Sequence, residues 1–413
     1  MPLPLLRPFA ALRPTRDYVA KVVAPPYDVL SSDEALVEVE GNPWSFLHIS
    51  KAEIDLPPGT DHYAPAVYAK SAENLSNMIA RGVIKRETRP CYYIYRLTMG
   101  EHVQTGVVGA ASVAAYDSNR IRKHEYTRPD KEDDRVRQID ACNAQTGPVL
   151  LAHRPTSDLS AVIAEQVARP PRFDVEARDH VRHALWVVED DAAIARITAA
   201  FDAMPNLYIA DGHHRSAAAS RVAAMRRAAN PAPRGDEPYE SFLVVSFPIE
   251  EMRILDYNRV VRDLGDMSCE DFRRRLEADF IVDAVDGRAR PERPHEFGMY
   301  MRRRWYRLRL REGVPVDPVA RLDVSMLTDR LLRPVLGISD LRKDARIDFV
   351  GGKRGLSELE RQVDCGEAVV AFAMYPTRME DLIAVAEAGE VMPPKSTWFE
   401  PKLGDGLVSY PLD

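Results

Sequence analysis

The sequence predicts an α+β fold, a mixed sheet with helices, on three observations. Runs rich in β-branched and aromatic residues are mixed with amphipathic runs, but without the strict βαβ repetition of a doubly wound sheet. Two of the β-type runs, "CYYIYRLTM" and "HVQTGVVGAASVAAY", are separated by little more than Gly100 and read as a hairpin. The apolar run Leu207–Ala210 passes through a glycine turn straight into an alanine-rich helix.

The elements follow in chain order. Residues 1–50 read as loops and short strands, with Pro25 and Pro26 marking a turn. A helix is predicted from about Ala66 to Arg81, stopped by Gly82. Charge dominates Ile121 to Asp134, which places that stretch outside the core; Pro129, with acids close behind it, opens a helix. "GPVLLAH" and "HALWVVED" read as buried strands, and "DDAAIARITAAFDAM" as a helix. After the strand Leu207–Ala210, a helix runs from about His214 to Ala229, and "SFLVVSFPI" is a further strand. Later, "CEDFRRRLEADF" reads as helix and "FGMYMRRRWYRLRLRE" as a half-buried strand pair. "PVARLDVSMLTDRLLRPVLGI" reads as helix, "AVVAFAMYP" as strand, and the end as helix followed by a loop from Glu390 to Lys402. The chain divides into a catalytic region, 1–248, and a C-terminal α+β region, 249–413, whose final loop is a candidate to return to the site.

Composition narrows the function. The chain has 413 residues, 45% of them hydrophobic and 29% charged, an ordinary globular balance. A formal net charge of −7 argues against attraction to nucleic acid or an anionic membrane. No run approaches the ~18 apolar residues of a membrane span. The N-terminal stretch is broken by prolines and carries no cleavage pattern, so it reads as mature protein. Four cysteines without a CxxC pair read as scattered thiols of a reducing cytoplasm.

The chemistry-bearing stretch is "NLYIADGHHRSAAAS". A strand, a glycine turn and a helix start make an anion site, because the first helical N–H groups lack partners and the helix dipole is positive there. Gly212 permits close approach of a ligand, Arg215 offers a fork of donors, and His213 and His214 add nitrogens. Asp211 is the acid beside them, placed to orient a histidine, hold Mg²⁺ or position a hydroxyl; a simple helix cap is the alternative. Adjacent histidines diverge by about 100° on a helix, so a zinc site is disfavoured. A second cluster, "IRKHEYTRPDKEDDR", sets His124 and Glu125 among Arg122, Lys123, Arg128, Lys131 and Arg135. It reads either as a solvated charged loop or as a carboxylate base among phosphate-binding cations.

Together "APPYDVLS", "NPWSFLHIS", "KHEYTRPDKEDDR", "ADGHHR", "YNRVV" and "MPPKSTWFEPKL" resemble the family known as domain of unknown function 1015, over nearly the whole chain. The Asp211–Arg215 turn is also similar to that of the free serine kinases. That second resemblance implies a ParB/sulfiredoxin-like core elaborated by large N- and C-terminal additions. It implies phosphate binding by Gly212, His213, His214 and Arg215, and a glutamate, matched here by Glu125, that activates a serine hydroxyl. Asp211 and His214 join Glu125 as catalytic candidates, with Asp211 also the candidate Mg²⁺ ligand. Arg128, Lys131, Arg135, Lys395, Ser396 and Thr397 are candidates for phosphate or nucleotide, and His124 and Arg259 for substrate. The activity implied is a cytoplasmic phosphotransferase using ATP or ADP with Mg²⁺ on serine, or running in reverse from phosphoserine. The alternatives are a ParB-like nucleotide switch and a phosphoserine phosphatase. A homodimer is compatible with all three, and no nucleic acid or membrane partner is expected. The turn lacks the cysteine of the sulfiredoxins, so peroxiredoxin repair is not expected.

Overall fold

The computed structural model describes residues 3–311 and 313–413; Met1 and Pro2, which open the proline-broken terminus, and Glu312, which ends the second arginine-rich run, lie outside them. The chain forms two compact units, 1–252 with 401–413, and 253–400.

The first unit is built on a mixed sheet. Its strand order is Ile121–Arg122, Leu207–Asp211, Val149–His153, Ser241–Pro248, His102–Ser112, Tyr92–Met99, Arg182–Val188 and Phe173–Glu176; Leu6–Arg7 also pairs with His102–Ser112. Two pairings are parallel, Ile121–Arg122 with Leu207–Tyr208 and Val149–His153 with Val244–Pro248. The predicted hairpin is present, with Met99 opposite His102. Its second strand ends sooner than its composition suggests. Ser112 accepts a hydrogen bond from the Ala115 amide and starts the helix Val113–Asp117. Within the first 50 residues a helix, Ser32–Glu38, forms where loops were expected. Ser31 and Glu34 make a reciprocal capping box there.

Helices Ser157–Val167 and Asp191–Asp202 contribute Leu159, Val162, Ile197 and Phe201 to a core shared with Tyr92, Ile94, Leu151 and Ile209. The alanine-rich helix His213–Ala229 lies against Pro129–Cys142. Its buried Ala217, Ala218, Ala219 and Ala223 favour helix and let the two axes come close. Arg221 bridges Glu132 and Asp133, and Arg226 reaches Asp140 on the facing helix. The charged stretch 121–134 is not wholly outside the core. Ile121, His124 and Asp134 are 0%, 2% and 8% exposed. Asp134 tolerates burial because the Tyr68 hydroxyl and the Arg135 guanidinium both donate to it, at 2.9 and 2.6 Å.

The last residues belong to this unit. Tyr410–Pro411 pairs with Ala144–Gln145, Ser409 bridges Leu12, and Asp405 bridges Ala24.

The second unit has a six-stranded antiparallel sheet in the order Phe280–Val285, Arg304–Leu310, Glu296–Met301, Val370–Ala373, Tyr257–Val261, Ile347–Gly351. The helix expected in 318–338 is shorter and contains a wide π turn, Thr328–Leu332, ahead of Arg333–Leu336. The arginine-rich pair forms a two-residue hairpin, with Met301 opposite Arg304. Both turn residues are left-handed, Arg302 at φ 50 and Arg303 at φ 58. That geometry suits Asn-Gly and strains a side chain by roughly 1 kcal/mol per residue. Replacing Arg302 and Arg303 by Asn-Gly is expected to stabilise this unit by about 1–2 kcal/mol. The check is its urea midpoint, which should rise at unchanged slope.

Candidate functional site

The parallel pairing of Ile121–Arg122 with Leu207–Tyr208 explains how two segments remote in sequence meet. Both strands run the same way, so the loop from Lys123 to Arg128 and the turn at Asp211–Arg215 leave the same end of the strands. The His124 and His213 rings meet edge to face, with centroids 4.4 Å apart. The Arg128 amide, which opens the helix Pro129–Cys142, donates to His214 Nε2 at 3.0 Å. Two helix N-termini therefore share one corner, and Glu125 lies exposed in a bend of the loop leading into the helix Pro129–Cys142.

Gly212 occupies the N-cap of His213–Ala229 at φ 97, and no side chain caps that helix. An L residue there would be strained and its Cβ would crowd Arg215 Nε at 3.1 Å. Asp211 does not act as the cap. Its Oδ2 accepts from Lys402 at 3.2 Å, and its Oδ1 is 3.7 Å from Arg215 Nη2. Burial works against its ionisation, but the Lys402 ammonium and the Arg215 guanidinium outweigh it and hold the carboxyl well below the usual range.

The three side chains after Gly212 leave in three directions. His213 turns inward, and burial, reinforced by His124, keeps it neutral well below its ordinary pKa. Neither ring nitrogen of His213 has a hydrogen-bond partner among the described residues, nor does His124 Nδ1. Burial brings His124 down to about 4 against a bond to the Ile209 backbone. His214 faces the other helix start; burial lowers its pKa, with Glu132 opposing. Arg215, 9% exposed, turns into the interior and donates through Nη1 to the Pro148 carbonyl.

Of the cations expected nearby, Arg128 pairs with Asp130 at 2.8 Å and Lys131 donates to the Tyr63 hydroxyl at 2.7 Å. Arg135 pairs with Asp134 and lies over the Tyr27 ring, 3.9 Å from its centroid. The remaining candidates belong to the second unit. There Arg259 is 1% exposed and donates to the carbonyls of Tyr257 and Lys395. Burial lowers its pKa to about 10, with Tyr257 opposing. Lys395 is left-handed at φ 58, the Ser396 hydroxyl donates to the Pro393 carbonyl, and Thr397 precedes the strand Trp398–Glu400.

Sequence reasoning missed Lys402 and Asp405, although "EPKLGDG" carried a signal in the acid between two glycines. Among the described residues no group of three or more His, Cys, Asp or Glu side chains could hold a metal ion, and no helix is long and apolar enough to cross a membrane. Asp211 offers one carboxylate already shared with Lys402, which fits Mg²⁺ only when a nucleotide's phosphates supply further ligands.

Comparison with known proteins gives the following. No curated protein matches the chain. Among solved structures it is similar to a free serine kinase in complex with AMP, at 13% identity over 73% of this chain and 92% of that one, with a TM-score of 0.34. It is also similar to SbnI with C-terminal truncation from Staphylococcus aureus, at 12% identity over 73% of this chain and 86% of that one, with a TM-score of 0.36. A conserved hypothetical protein from Pyrococcus furiosus matches at 12% identity over 73% of this chain and 94% of that one, with a TM-score of 0.33. Scores of this size carry neither a fold nor a function across to this chain. The model of the family described as "Protein of unknown function (DUF1015)" matches residues 6–325, more than half of the chain, and the chain belongs to that family.

Proposed function

We propose that the first unit is a nucleotide-dependent phosphotransferase acting on the hydroxyl of free serine or a similar amino acid. The observation that carries the reading is the shared corner: the helix starts at Pro129 and His213, joined by the Arg128–His214 hydrogen bond, with Glu125 in the loop that leads into the first of them. The first-turn amides after Gly212 are uncapped by any side chain and suit phosphate oxygens. Lys402 and Arg128 add positive charge on the flanks. Glu125 takes the proton of the attacking hydroxyl, the oxygen bonds to the terminal phosphorus, and the bond to the nucleotide breaks with its diphosphate or monophosphate leaving. Asp211 keeps Lys402 aimed at the corner. Asp211 would hold Mg²⁺ brought in with the nucleotide, and the ion would supply neutralisation of phosphate charge. The uncharged His213–His124 pair walls the site without competing for the phosphate.

Purified protein with ATP or ADP, Mg²⁺ and serine is expected to form phosphoserine, read by mass spectrometry. Glu125→Gln should lower the rate by about 10²–10⁴-fold with little change in melting temperature. Formation of phosphoserine at an undiminished rate in both Glu125→Gln and Asp211→Asn rejects these roles. Nucleotide binding without serine-dependent turnover points instead to a nucleotide switch.

A further inference from the structure

We propose that the groove beside the arginine hairpin of the second unit binds a small molecule made of an anionic group on a compact apolar body. The Arg302 and Arg303 guanidiniums grip the anion, and the body packs on Val363, Ala368 and Val369. The groove measures about 440 Å³ and is lined by these five residues together with Cys269 and Asp364. That volume falls in the range of small-molecule sites, which combine apolar walls with a few placed polar groups. All seven residues belong to 253–400, so the inference does not rest on phosphotransfer by the first unit.

The hairpin places the arginines. Met301 pairs with Arg304, so Arg302 and Arg303 make up the whole turn. Both take the left-handed conformation that Asn-Gly adopts without strain. The turn thus keeps two consecutive guanidinium side chains at the groove at a cost in backbone strain, and strained residues of this kind cluster at ligand clamps.

Elsewhere on this hairpin the protein answers its own charge. Arg307 pairs with Glu292 and Glu296, and Arg309 with Asp283. Among the described residues Arg302 has no ion pair, and Arg303 has only a long one, its Nε 3.9 Å from Asp364 Oδ1. Asp364 is engaged already, accepting from the Tyr300 hydroxyl at 3.1 Å. Two guanidiniums therefore stand against one carboxylate, which selects an anion over a cation. Their forks of N–H donors suit carboxylate and phosphate oxygens alike. The apolar side is held firm, since Ala368 is 3% exposed and Val363 packs on the core that contains Leu359 and Trp305. A bare inorganic anion would leave that side wet; an apolar body covers it.

The test is saturation-transfer NMR of the full chain with phenyl phosphate and, separately, benzoate, with benzyl alcohol as the uncharged control. At least one anion is expected to bind with a Kd of about 1 mM, the scale open to ligands of about ten heavy atoms, and which one binds identifies the head group. Binding should weaken as salt rises. Peptide mass spectrometry after iodoacetamide treatment gives the place: the bound anion should slow alkylation of Cys269, which lines the groove, and not of the exposed Cys365, which does not. Arg302→Asn with Arg303→Gly, whose turn is unstrained, should lose roughly tenfold or more in affinity at an undiminished melting temperature. Neither anion binding at about 10 mM, equal binding of benzyl alcohol, or affinity unchanged in that double variant overturns the inference.

Discussion

Lowering the pH from 7 to 5 is expected to unfold the first unit, because four of its histidines are buried in the neutral form. Burial depresses His124 to about 4, His153 to about 3 and His183 to about 4, and holds His213 well below its ordinary value. Each ring is built into the interior. His153 Nδ1 bonds to the Ser246 hydroxyl at 2.8 Å, and His183 Nδ1 to the Tyr95 hydroxyl at 2.6 Å, which in turn accepts from the Gly404 amide at 3.1 Å. For a group whose folded pKa is depressed, the unfolded chain binds the proton first. The penalty is absent above pH 6.5 and grows as pH falls toward the folded values. At pH 5 it is about 2 kcal/mol for each of His124, His153 and His183, and His213 adds to it in the same direction. Asp405 runs the other way: its folded pKa is raised, so the fold gains about 2 kcal/mol between pH 7 and 5. The net loss from these three histidines and Asp405 is about 4 kcal/mol before the His213 contribution, close to the total stability of a marginal domain. Near-ultraviolet circular dichroism should show the transition between pH 6 and 4, with roughly three protons taken up on unfolding near pH 5. His153→Gln should move the midpoint downward. A unit still folded at pH 4 with unchanged spectra contradicts the buried neutral state of these rings.

What was legible in the sequence was local. Pro129 and Gly212 stand at the helix starts they announced, since a proline's fixed φ or a glycine's left-handed φ acts on its own segment. The alternation in 297–310 gave the second-unit hairpin for the same reason. The Ser31–Glu34 capping box was equally local and was passed over among prolines. The pairing across the sheet was not legible. Nothing near Glu125 announces that Ile121 lies beside Leu207, because a two-residue parallel strand carries too little pattern to identify its neighbour. Nor does composition reveal that His124 and Asp134 turn inward from a charged run: burial there depends on His213 and Tyr68, which are distant in sequence. Lys402 and Asp405 were hidden for the same reason, reaching Asp211 and Ala24 only through the last strand's return.

Arg215→Met is expected to cost about 3–5 kcal/mol, because it removes the buried charge on which three groups depend while leaving the volume nearly unchanged. The Pro148 carbonyl loses its donor, and Asp211 keeps only Lys402. Asp405, whose proton affinity burial raises and Arg215 restrains, is pushed higher still. A methionine cannot answer any of these, since it offers no hydrogen-bond donor. The effect should be coupled rather than additive. If Asp405 is a main source of the cost, Arg215→Met with Asp405→Leu should recover part of the loss, with a coupling of about 1–3 kcal/mol in urea titrations. Additivity of the two single variants, with Asp405→Leu measured alone, excludes that electrostatic link. Function gives a second discrimination. Arg215 packs beneath Gly212, so its loss also loosens the turn that offers amides to a phosphate. Phosphoserine formation should therefore fall in Arg215→Met even at temperatures where the variant is fully folded. Lys402→Met, which removes one cation of the Asp211 pair at the 21%-exposed rim, should retain most of the stability and lose rate through Asp211 alone. The ratio of stability loss to rate loss in the two variants separates a charge that holds the fold from a charge that holds the site.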